Sequence, residues 1–256
     1  MNLNRLLLEG WSANPWVLGG CSVFTLLFAR AFGTRARWRW LIAALAVVVL
    51  ALLSPLAALA DGVLFSAHMT QHILLLLIAP GLLLLALPRA FTLRVAHPLA
   101  RRLPLLGWAA GIGAMWFWHA PALCNAAAVS GPVRALQTLS LLALGTLFWW
   151  PILAPAERDR LLPGHGVAYL FTACLGCSAL GMILTLTPVE ICSVYQAPLA
   201  ASQPWADFRG LFSAQHDRQI GGLLMWIPMC SVYVAAIMLE LSRWHGAPAA
   251  AEELSS

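Results

Sequence analysis

The chain has 256 residues, 61% hydrophobic and only 10% charged, with a mean hydropathy of +0.80, against roughly 45–50% apolar and about 25% charged in soluble domains. That balance excludes a soluble globular domain and predicts an all-α polytopic membrane protein forming one domain over residues 1–256. The net charge of +5 comes from fifteen arginines and no lysine, so a retinal protein, which needs a lysine Schiff base, is excluded, and the arginines read as topology signals rather than a nucleic-acid footprint.

A membrane span needs about 20 mostly apolar residues. Seven stretches qualify in chain order, at about 15–32, 40–60, 66–87, 104–121, 134–154, 165–187 and 219–241. The opening MNLNRLLLEGW lacks the long apolar region and small-residue cleavage site of a signal peptide. Short connections predict an up-and-down bundle, and no internal repeat points to an inverted-repeat transporter. The connections after spans 1, 3 and 5, with the C-terminal edge, hold Arg30, Arg35, Arg37, Arg39, Arg89, Arg94, Arg101, Arg102, Arg158, Arg160 and Arg243; the opposite side holds only Arg5, Arg134, Arg209 and Arg218. By the positive-inside rule the N-terminus is expected outside and the C-terminus in the cytoplasm.

This orientation puts the chemistry-bearing residues at one level. Span 3 starts at the outer face with HMTQH, where His68 and His72 lie about 40° apart around the helix and Met69 falls in the same arc. Span 4 ends there with MWFWHAP, bringing His119 and, one turn deeper, Met115. Span 7 starts there with AQHDRQIGGLLMW, adding His216, Asp217 and, about two turns below, Met225, while Asp61 precedes span 3. Imidazole suits copper, zinc, iron and nickel, and thioethers tilt the choice toward Cu(I). Asp217 is expected as a ligand or as the partner of an imidazole's second nitrogen. The competing reading makes each histidine an interfacial residue bonded to water or a backbone carbonyl, which is the reading for His97, His165 and His245.

The cysteines are less informative. Cys174 and Cys177 form one CLGC pair in the middle of span 6, where small residues at a helix contact explain them as well as a metal does. Cys124 and Cys192 fall in outer connections, suited to a metal or a disulfide, and Cys21 and Cys230 read as small core residues. No span carries Asp, Glu, Lys or Arg at its midplane, which argues against a charge-coupled pump. HMTQH has Met where H-E-x-x-H places its general base, so a metalloprotease is not expected, nor any other enzyme.

SPLAALADGVLFSAHMTQHILLLLIAPGLLLLALP, FWHAPALCNAA and DRQIGGLLMWIP resemble the signatures of the polytopic CtaG family, bacterial factors for assembling cytochrome c oxidase of the caa(3) type; WSANPWVLGG and FWWPIL fit it too. The single-span copper chaperone of the same name is a different fold. Cys124 stands where the family has an aromatic, His216 lies outside its pattern, and the segment from Pro188 to Ser213 diverges. The resemblance implies a multi-pass bacterial plasma-membrane protein that matures the oxidase by helping to load copper, and it adds Gln219 and Trp226 to His68, His72, His119, Asp217 and Met225 as residues of interest. The expected partners are membrane lipid, oxidase subunits and a periplasmic copper donor. A haem-binding redox protein with axial histidines and a metal-free assembly scaffold are the alternatives.

Overall fold

The computed structural model describes residues 3–93, 97–187, 191–197, 205–210 and 213–253. They form helices and connections, with no strand among them. The short helix α1 (Leu3–Glu9) precedes α2 (Pro15–Phe32), which Asn14 caps by accepting the Trp16 N–H. α2 is peripheral: of its side chains only Phe28 is buried, against Phe32 and Trp38.

The second predicted span, 40–60, is divided. α3 (Trp38–Leu53) stops at Ser54, whose backbone turns extended and whose hydroxyl caps α4 (Pro55–Ala60) through Leu56 N–H. Pro55 cannot extend α3 because it has no N–H to give the preceding turn. Sixteen residues of α3 cover about 24 Å, short of a hydrocarbon core of about 30 Å.

α5 (Phe65–Ala86) follows the 66–87 expectation. Its ladder loosens over Leu74–Ile78, where Ala79 N–H reaches back to Leu74 O; Pro80, lacking an N–H, follows at once. α6 (His97–Trp118) starts seven residues before the predicted 104–121 and ends three residues early, carrying Pro104 inside. After the short α7 (Pro121–Val129) come α8 (Gly131–Leu153) and α9 (Pro163–Leu186), close to the predicted 134–154 and 165–187. The one-turn α10 (Ala206–Arg209) precedes α11 (Ala214–Glu253), which overruns the predicted 219–241 at both ends.

By length and composition, Pro15–Arg35, Phe65–Ala86, Gly131–Leu153, Pro163–Leu186 and Ala214–His245 are candidate membrane spans. α9 and α11 pack antiparallel at small residues: a Cβ on Gly181 would sit 2.7 Å from Trp226 Cβ, and one on Gly222 would overlap Thr185. Across the bundle, Gly145 of α8 lies directly against the Leu76 carbonyl of α5. The main core runs through Met69, Leu76, Met115, Phe148, Leu170, Met225 and Tyr233, and α5 is enclosed chiefly by α3, α4, α8 and α11. That enclosure buries the histidines at its start.

Candidate functional site

The first turn of α5 has four N–H groups without intrahelical acceptors, and its own N-cap residue, Leu64, has no side-chain acceptor to offer. Asp217 of α11 supplies it. Its Oδ2 accepts from Phe65 N–H at 2.6 Å and its Oδ1 from Ser66 N–H at 3.1 Å and from the Ser66 hydroxyl. The carboxylate is buried and sits at the positive end of the α5 dipole. Asp217 was expected to ligate a metal or orient an imidazole; in the structure its oxygens are bonded to the backbone and hydroxyl of the helix that carries the histidines.

One turn further along, His68 and His72 turn inward and are 6% and 1% exposed. Their Nε2 atoms stand 3.1 Å apart. In two neutral rings one proton serves that contact, and His72 Nδ1 is buried with no protein partner whichever way the proton points. His119, at the end of α6, is 4% exposed and lies 5.1 Å from His72 between ring centroids. Its Nδ1 is 2.6 Å from Met115 O; a carbonyl only accepts, so this nitrogen carries the proton and the neutral ring's Nε2 lone pair faces outward. That lone pair meets Met69 Sδ at 3.1 Å, an atom that is itself only a weak acceptor.

Three imidazoles and a thioether thus gather in an apolar interior with more electron pairs than protons to share. Two nitrogens about 2.0–2.1 Å from one ion can stand up to about 4.2 Å apart, so the 3.1 Å contact fits a shared ion. Met115 and Met225 are fully buried, and Met225 lies one turn beyond Gly221, which packs on Phe65 and Met69. Among the described residues, no three His, Cys, Asp or Glu form a metal-holding group; the contacts are two adjacent two-donor pairs, His68–His72 and His119–Met69.

Other expected residues stand apart. His216 is exposed and bonded to the Ser213 hydroxyl. Asp61 is 58% exposed and pairs with Arg134 at 2.6 Å. Gln219 is half-buried, and Trp226 packs toward Gly181 of α9. The two CLGC thiols have different neighbours, Cys174 Sγ lying 2.9 Å from Cys230 Sγ and Cys177 Sγ 3.6 Å from the Tyr233 hydroxyl. Cys124 and Cys192 form a disulfide, which removes both from the set of thiolate ligands. His165 and His245 are exposed; the His97 side chain lies outside the described residues, as does part of the segment from Pro188 to Ser213.

Helical spacing does not single out Tyr195. Three residues beyond Cys192, its ring lies 5.6 Å from His68 and 5.7 Å from Phe65, and its hydroxyl donates to Ala60 O at 2.7 Å. Burial pushes that hydroxyl's pKa above the usual tyrosine value. A tyrosine three residues from a cysteine, in a connection between helices, was the available signal.

The description "Cytochrome c oxidase caa3 assembly factor (Caa3_CtaG)" belongs to a family model that matches residues 23–247. No curated protein and no solved structure matches the chain. The match takes in the α5 histidines, His119 and the Asp217 cap together, and the chain belongs to the cytochrome c oxidase caa3 assembly factor family.

Proposed function

We propose that this chain is a bacterial plasma-membrane assembly factor that binds Cu(I) at His68, His72, His119 and Met69 and yields it to cytochrome c oxidase apoprotein. Family membership supports the assembly role. The single observation behind copper is the buried surplus of lone pairs: His119 Nε2 against Met69 Sδ, beside two imidazoles that share at most one proton and leave His72 Nδ1 unpartnered. A soft monovalent ion satisfies imidazole and thioether without adding much charge to the interior. Met115 and Met225 are reserve donors in the same core.

In this reading α2, α3 with α4, α5, α6, α8, α9 and α11 make seven passes. The N-terminus is outside, and the site opens toward the outer face, where a periplasmic donor and the oxidase subunits are met. The protein carries and positions rather than catalyses. The metal-free scaffold is the second reading, favoured by Asp217 being committed to a helix cap and by the two-donor character of each contact.

The deciding experiment is anaerobic Cu(I) loading of the detergent-purified chain, with metals counted by mass spectrometry beside a His68→Ala/His72→Ala variant. Copper near one per chain that disappears in the variant is expected. Equal copper in both refutes the assignment, and no copper in either leaves the scaffold.

A further inference from the structure

Residues 191–197 form a strap over the outer end of the histidine site, and it is held at four points. The Cys124–Cys192 disulfide joins it to α7 across 68 residues of sequence, with the Cα atoms 5.8 Å apart. Asn125 Oδ1, next to that bridge, accepts from Val194 N–H at 3.1 Å and from the Ser193 hydroxyl at 3.3 Å. The Arg209 guanidinium clamps the far side, donating to Val194 O and Ala197 O from the strap and to Gly62 O and Val63 O from the turn before α5. Tyr195 is the fourth point. Its ring is 4% exposed and leans over His68 at 31° between planes, while its hydroxyl is anchored on Ala60 O. Beside it, a void of about 10 Å³ touches Phe65, Cys192, Tyr195 and Gln196. That is the threshold for one water.

We infer that Tyr195 is the gate of the copper site, and that the ion enters and leaves past it when the strap lifts from α5, with the Cys124–Cys192 bridge limiting how often it lifts. The inference rests on the copper reading above and adds its route and its control. With the strap down, His68 and His72 are 6% and 1% exposed, so a ligand exchanging with the outside needs a local opening. The strap carries the contacts that oppose such opening: one disulfide, the Asn125 pair, the Arg209 fork and the tyrosine hydroxyl. A site closed this way holds copper against small chelators and releases it when a docking partner displaces the strap.

The test uses the full-length chain loaded anaerobically with Cu(I), mixed with excess of a chromogenic Cu(I) chelator, and followed for release rate and copper per chain. Variants are Tyr195→Ala, Tyr195→Phe and Cys124→Ser/Cys192→Ser, each checked for monodispersity and helix content. Loss of one net hydrogen bond is worth roughly tenfold in an opening equilibrium. Tyr195→Ala and the double serine variant are expected to release copper at least about tenfold faster at unchanged stoichiometry. Tyr195→Phe, which keeps the ring and loses the Ala60 anchor, is expected between them and wild type. Wild-type rates in folded Tyr195→Ala and double serine variants overturn the gate. So does a loss of stoichiometry in Tyr195→Ala that Tyr195→Phe restores, because the ring would then build the site rather than cover it. Absence of copper from wild type fails the copper reading itself, and the gate with it.

Discussion

Replacing Asp217 with alanine separates capping from ligation. The substitution deletes the acceptors of Phe65 N–H and Ser66 N–H, both buried, and of the Ser66 hydroxyl. Loss of an N-cap costs about 0.5–2 kcal/mol, and hydrogen bonds to charged groups are worth about 1.5–3 kcal/mol each. Water entering the vacated space recovers part of this, so about 2–4 kcal/mol of local stability is expected to vanish from the first turn of α5. At 1.4 kcal/mol per factor of ten, amide hydrogen exchange there should speed up by roughly 30-fold to several hundredfold, while amides deep in α8 and α9 keep their protection. On the copper reading, copper per chain should persist, bound more weakly because His68 and His72 sit on the frayed turn. Asp217→Asn keeps one acceptor oxygen and should recover part of the protection. Unchanged exchange at residues 65–68 in Asp217→Ala would refute the capping argument. Intact protection in Asp217→Asn with copper lost would instead make the carboxylate a ligand.

Two further contrasts probe the site and its frame. On the copper reading, His216→Ala should leave copper binding and stability as they are, since His216 is exposed and its hydrogen bond among the described residues is the local one to Ser213; His119→Ala should remove or weaken copper while leaving the protein monodisperse, both read by metal analysis after size exclusion. Gly222→Ala drives a methyl into Thr185 at the α9–α11 contact and should cost about 1–3 kcal/mol, seen as a lower midpoint of heat-induced aggregation in detergent. Gly113→Ala, on an exposed face with nothing within 4 Å of the new Cβ, should leave that midpoint unchanged or raise it.

Long apolar runs were legible because one helix in lipid satisfies its own backbone, so hydropathy and length nearly suffice to find it. Hence α5, α8 and α9 lie close to their expected bounds. The 40–60 run failed because composition does not register one proline: Pro55 and the Ser54 cap divide an apolar stretch that reads as continuous. Grouping His68, His72, Met69, His119 and Met115 was legible from helical spacing and sidedness, and the structure brings these residues together. The same reasoning grouped His216 with them, because a helix end shared in sequence does not say which way a side chain turns.

By itself, then, the sequence determined an all-helical apolar chain, its family, and which residue types gather at one end of it. Only the tertiary structure decided their roles. Asp217 caps a helix 152 residues earlier in the chain, Cys124 finds Cys192 across 68 residues, Cys174 faces Cys230 rather than its CLGC partner, and Tyr195 covers His68. Helical periodicity is a local property, carried by every few residues. A cap, a bridge and a cover depend on distances between separate helices, which are set by where small residues let backbones meet, and no window of sequence contains both sides of such a contact.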